Sequence, residues 1–281
     1  MNPLTGILLI ALGSIGAASF YVPFKKVKSW AWESYWFTQG VAAWLIAPIL
    51  FAFIFVPKGE LFPIINEAPS SAKLMAMLFG ALWGFGGLTF GLSIRYLGVA
   101  LGQSIALGLC AVFGTLIPPI IAGNNLFSST AGILTMVGVS ITVAGIAVIG
   151  YAGSLKSKEM TEEEKKAAVK EFALKKGIFI AIFAGFMSAC FNFGFESAKP
   201  IETVALAHGT NPLFQKNTSL IFILLGGFIT NLIYCGYLNI KNKTYRDSYS
   251  VSGSVLLNNL FFTFLSVFLC FLQFPFFCFG F

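Results

Sequence analysis

The polar side chains that could meet a solute inside this chain are few and mostly uncharged. Gln39, Gln103, Asn192 and Gln273 lie within long apolar stretches, together with Tyr21, Trp44 and Trp83. Amides donate and accept hydrogen bonds without carrying charge, and phenol and indole rings offer flat apolar faces with one polar edge. That combination suits a neutral polyol or sugar, and Tyr21, Gln39, Trp83, Gln103, Asn192 and Gln273 are the candidate substrate-binding residues. Helix packing would employ the same residue types. Two of the 11 acids touch an apolar stretch: Glu33 at the start of the second, and Glu196 about one turn from the end of the sixth. A carboxylate at the centre of a bilayer costs at least about 2.5–3.5 kcal/mol, so acids near such stretches are candidates for proton coupling. Glu196 also has a plainer reading, an interfacial acid near Lys199.

No residues are set out for covalent or metal chemistry. The chain has no HExxH, no paired intramembrane Asp and no GxSxG, so an enzyme is not expected. Cys110, Cys190, Cys235, Cys270 and Cys278 all fall in apolar stretches without a CxxC pair and read as packing residues, so neither a metal nor a cofactor is expected. His208, the sole histidine, sits just before Gly209 and reads as a helix-end residue.

These side chains must be positioned by membrane-spanning helices. Hydrophobic residues make up 57% of the 281 and charged residues 10%, too few to clothe a soluble core. A span needs about 20 mainly apolar residues. Eight stretches qualify: Thr5–Val22, Tyr35–Val56, Leu74–Leu97, Val99–Ala122, Thr130–Tyr151, Gly177–Ala198, Asn217–Leu238 and Ser254 to the end. With no Lys or Arg ahead of it, the first is expected to be a retained span and not a cleaved leader.

Alternate loops divide the basic residues unequally. Fourteen of 18, including Lys25, Lys26, Lys28, Arg95 and the cluster from Lys156 to Lys176, fall on one side, and Lys58, Lys73, Lys199 and Lys216 fall on the other. Basic loops stay in the cytoplasm, which predicts an outside N-terminus, and the net charge of +7 is a topology signal with no nucleic-acid partner implied. Arg95-Tyr96-Leu97-Gly98 forms a tight cytoplasmic hairpin, with Arg95 reaching the headgroups. Pro48, Pro118 and Pro119 should kink their helices. Gly80, Gly84, Gly87 and Gly91 suit close helix packing, and 83–87 could loosen into a binding wall. Trp30, Trp32 and Trp36 read as an interfacial belt.

Residues 152–176 form a charged cytoplasmic linker, with a capping box at Thr161 and Glu164. It separates 1–151 from 177–281, and the two resemble each other. GILLIALGSIGAASFYVPFKKVK from Gly6 aligns with GIFIAIFAGFMSACFNFGFESAK from Gly177, matching Ala18 with Ala189, Phe20 with Phe191 and Phe24 with Phe195. The matched helices are the first and sixth, so the repeat contains five spans and its second copy enters the membrane inverted, an arrangement of many secondary transporters. The fold expected is all-α: a polytopic transmembrane bundle of inverted five-helix repeats, with about eight of ten spans present. The Phe-rich stretch from Phe261 and the missing ninth and tenth spans suggest a C-terminally truncated or frame-shifted chain.

Phe20-Tyr21-Val22-Pro23-Phe24-Lys25-Lys26-Val27-Lys28-Ser29-Trp30-Ala31-Trp32-Glu33 resembles the signature of L-rhamnose/proton symporters, within the drug/metabolite transporter superfamily. Phe79–Gly84, Arg95–Gly98, Gly114-Thr115-Leu116 and Ala198-Lys199-Pro200 fit the same pattern, which extends from about Gly13 to Asn259. The resemblance implies ten helices in a bacterial inner membrane and import of L-rhamnose or a related deoxyhexose with a proton. A carrier for another small metabolite, or a truncated membrane protein that transports nothing, are the alternatives.

Overall fold

The computed structural model describes residues 8, 11–16, 19, 20, 22–121, 123, 125–159, 173–247 and 250–279. These residues are helical or in turns, with no strand among them. The expected first span lies largely outside them, as do Tyr21 and the capping box at Thr161. Seven described helical stretches are long and apolar enough to cross a membrane.

The first combines α1 (Trp32–Gly40), a wide π turn (Val41–Ile46) and α2 (Ala47–Phe55). Pro48 cannot donate to the carbonyl four residues before it. The kink expected there takes the form of the π turn just upstream, where Ala47 N–H reaches back to the Ala42 carbonyl. A short α3 (Leu61–Glu67) leads into α4 (Ser70–Leu97), then α5 (Val99–Ile121), α6 (Thr130–Glu159), α7 (Leu174–Ala207), α8 (Lys216–Asn242) and α9 (Gly253–Phe279).

Gly98 alone joins α4 to α5, at a φ of +81° that side chains resist, and its N–H closes on Ile94 O at 2.8 Å. The side chain of Arg95 lies outside the described residues. The 83–87 stretch stays α-helical, so the expected loosening is absent. Two helices outrun their expected ends by about two turns or more. α6 continues past Tyr151 to Glu159, and α7 passes through Pro200 to Ala207. Pro200 does not stop α7, because Ile201 and Ala205 beyond it are fully buried and keep the helix docked. Glu196 is therefore about three turns from the helix end, not one.

The chain divides into two compact units, 1–77 with 197–281, and 78–196. This partition by contact differs in kind from one by sequence repeat. In the second unit α5 and α7 share a cluster of Leu101, Ile105, Ala106, Ala181 and Ala184. Helices in lipid gain little from hydrophobic burial and depend on close backbone approach. A Cβ on Gly86 would strike the Ser188 backbone at 2.6 Å, whereas Gly87 and Gly91 have nothing within 4 Å, so Gly86 is where α4 meets α7. In the first unit α8 is the central helix, packed on α1, the π turn and α2, while α9 packs on α1 and the π turn.

Candidate functional site

The first unit carries polar side chains from one end of α8 to the other, and α1 reads them. At the N-terminus of α1, Glu33 is 6% exposed. Asn242 Nδ2 donates to Glu33 Oε1 at 2.8 Å, and Thr244 Oγ1 lies 2.9 Å from the same oxygen. Thr244 Oγ1 is also 3.0 Å from Asn239 Oδ1, so its single proton serves one acceptor at a time. Ser34 Oγ sits 3.0 Å from Asn239 Oδ1 and 3.3 Å from Asp247 Oδ2. Ala31 N–H, just ahead of α1, donates to that Asp247 oxygen at 2.8 Å. An acid at a helix N-terminus also meets the positive end of the helix dipole. The cluster binds the start of α1 to the end of α8 with Glu33 at its centre.

Higher in the same unit the accounting changes. Gln39 Oε1 on α1, Asn231 Nδ2 on α8 and Thr263 Oγ1 on α9 are buried without a hydrogen-bond partner in the protein. The three residues are 1%, 3% and 1% exposed. The Asn231 amide lies against Gly40, where a Cβ would collide with Nδ2, and its Oδ1 faces Cys235 Sγ at 3.3 Å. Trp44, in the π turn, also borders Gly40 and meets Trp36 edge-on at 6.0 Å. Phe37 and Phe228 sit 6.4 Å apart, two residues before Gln39 and three before Asn231 respectively. An unpaired buried amide or hydroxyl costs about 1–3 kcal/mol, so the first unit holds three buried groups whose hydrogen-bonding capacity is unused within the protein. Trp30 Nε1 and Thr210 Oγ1 are likewise unpaired, but both lie outside the spans.

The other expected residues are dispersed. Trp83 and Asn192 belong to the second unit. Trp83 contacts Phe191 at 5.0 Å, and Asn192 Nδ2 presses on Gly114, where a Cβ would collide with it. Both are half-buried, while Gln103 and Glu196 are exposed. Tyr21 is outside the described residues, and Gln273 is placed only as part of α9. Trp30 is buried, not in the lipid-facing belt expected of it, whereas Trp32 is exposed and stacks on Trp36 at 5.5 Å. Sequence reasoning missed Asn231, Thr263 and a third span-associated acid, Glu202, which is 8% exposed and 3.1 Å from Ser219 Oγ. An amide in the middle of the apolar run from Leu220 to Tyr237 was the available signal for Asn231.

A family model described as L-rhamnose-proton symport protein matches residues 2–281. The chain belongs to that family. An L-rhamnose-proton symporter of Yersinia pestis (strain Pestoides F) is 36% identical over 279 residues, covering 98% of this chain and 79% of the relative. One of Yersinia pseudotuberculosis (serotype O:1b) aligns with the same identity and coverage. No solved structure matches.

The 20–28 segment ahead of α1 is fastened to α9. Asn259, fully buried on α9, accepts from Lys28 N–H at 2.9 Å and donates to Lys28 O at 2.8 Å, pairing with the backbone as another peptide would. Asn258 Nδ2 donates to Lys26 O at 2.9 Å, and Ser266 Oγ to Phe20 O at 2.7 Å. Ser29 adopts a left-handed φ of +56°, which turns the chain into α1. Lys25 and Lys26 thus lie on a short 3₁₀ turn, Pro23–Lys26, pinned by the first half of α9.

Proposed function

We propose that this chain carries L-rhamnose, or a closely related deoxyhexose, together with a proton across the bacterial inner membrane. Its relatives bear the name L-rhamnose-proton symporter, and seven described helices can span a bilayer. The observation that carries the reading is the set of neutral, unpartnered groups on α1, α8 and α9: one acceptor (Gln39 Oε1), one donor (Asn231 Nδ2) and one hydroxyl able to do both (Thr263). Such a set complements the hydroxyls of an uncharged sugar, and Phe37, Phe228 and Trp44 supply apolar surface for a deoxy carbon. Trp83 and Asn192 in the second unit are the half-buried candidates for sugar contact there.

Glu33 is the better candidate for proton coupling than Glu196, because it is buried and its bonds tie two helices, whereas Glu196 is exposed. The surplus of basic residues on the Glu33 side supports a cytoplasmic placement for that end, with inverted five-helix repeats as the transport scaffold. Proteoliposomes holding the purified chain are expected to accumulate labelled L-rhamnose when the outside is acidic, and to lose that accumulation with a protonophore. Uptake equal to that of empty liposomes would refute the proposal.

A further inference from the structure

The ring of His208 is held at both nitrogens. His208 directly follows α7, and Gly209 turns the chain away at a φ of +79°. Nδ1 lies 2.7 Å from Glu60 Oε2 and Nε2 lies 2.8 Å from Glu67 Oε2. A neutral imidazole has one N–H, and an ionised carboxylate can only accept, so both contacts are hydrogen bonds only when the ring carries its second proton. Glu60 immediately precedes the seven-residue α3 and Glu67 ends it, so the ring bridges the full length of that helix. Beneath the bridge, Leu61 and Ile64 of α3 pack with Ala205 of α7 and Ile221 of α8. All of these residues belong to the first unit, near the start of α8, the end opposite the one that meets Glu33.

We propose that His208, Glu60 and Glu67 form a proton-binding site on the outer face, where one bound proton clasps the 57–69 connection to the end of α7 and keeps this mouth of the first unit competent for transport. The sidedness rests on the orientation and function proposed above. Losing the proton leaves one N–H for two carboxylates, so one arm of the clasp opens while two negative groups remain beside each other. The other charged groups on the surrounding elements are Lys58, Lys73, Lys199, Glu202 and Lys216, and Lys73 Nζ is engaged with Ile65 O at 2.9 Å. The hydrogen bonds that the ring donates to Glu67 and then Glu60 raise the His208 pKa above its ordinary 6.5. A raised histidine pKa means the clasp is complete below about pH 6.5 and is lost as pH rises through the higher folded-state value. A carrier driven by outside protons would then have its outer mouth set by the same supply that drives it.

Because His208 is the only histidine, ring-labelled histidine gives one assignable NMR signal in the whole protein. Its midpoint is expected above about 6.5 and should fall in Glu67→Gln and in Glu60→Gln. Glu67 is 61% exposed at its side chain, so the first variant is expected to fold. A midpoint at or below about 6.5, or one that neither variant moves, overturns the site whether or not the protein transports. In proteoliposomes, sugar exchange by the wild type should decline as outer pH rises through the NMR midpoint, and His208→Gln, which can donate to only one of the two carboxylates, should lack that step and stay at the low, high-pH level throughout; full exchange by this variant at every pH overturns the role in transport. A step that follows inner pH overturns the outer placement. A shifted NMR midpoint with no transport of any sugar refutes the symport reading and leaves the proton site standing, with its role in transport overturned.

Discussion

Thr263→Val separates a binding hydroxyl from a structural one, because the two roles predict opposite signs for stability. Valine has nearly the same shape as threonine and removes only the hydroxyl. Thr263 Oγ1 is buried with no partner, so in the empty protein the hydroxyl is a cost. Removing it should stabilise the fold by about 1–3 kcal/mol, the penalty of an unsatisfied buried polar group. With sugar bound the same substitution strands a substrate hydroxyl in that dry place, at about 1–3 kcal/mol, which weakens binding roughly 5- to 150-fold. Thermal unfolding of the detergent-solubilised protein reads the first effect, and the KM for rhamnose uptake reads the second. A more stable variant with unchanged KM would show that Thr263 does not meet the sugar. A destabilised variant would show that the hydroxyl has a structural partner, and the binding argument for it would fall.

Gly40→Ala places a methyl against Asn231 Nδ2 and should cost about 1–3 kcal/mol by overpacking, whereas Gly138→Ala on α6, where nothing lies within 4 Å, should be neutral or mildly stabilising. Parallel thermal unfolding checks the pair. Asn259→Leu orphans both the N–H and the C=O of Lys28, a loss of about 2–6 kcal/mol at about 1–3 per group. It should show as sharply reduced folded protein in membranes, with equal yields of variant and wild type counting against the pinning role of α9. Glu33→Gln keeps the side-chain volume while removing the charge that Asn242 and Thr244 hold. Sugar exchange without a gradient should survive this substitution and proton-driven accumulation should not; accumulation with an unchanged pH profile would remove Glu33 from the coupling scheme.

The lipid-embedded character of the chain was legible because hydropathy over about 20 residues is a local property, and the seven described spans fall where apolar runs stand. Helix ends were less legible: the sixth apolar stretch ends at Ala198, and only the burial of Ile201 and Ala205 explains why α7 continues through Pro200 to Ala207. The sharpest limit concerns the amides. Asn259 and Asn231 are alike on the page, each an amide in an apolar run, yet Asn259 is consumed by Lys28 while Asn231 keeps its Nδ2 unused beside Gly40. Their difference is set by residues more than 180 positions away in the chain. Composition can nominate polar groups within a membrane span, and Gln39 was nominated that way. Whether such a group is scaffold or binding surface depends on whether its hydrogen bonds are already taken, a property of the assembled helices. By that criterion the sugar site should be sought on α1, α8 and α9, and the Asn259 end of α9 is the frame that holds the segment ahead of α1 in place.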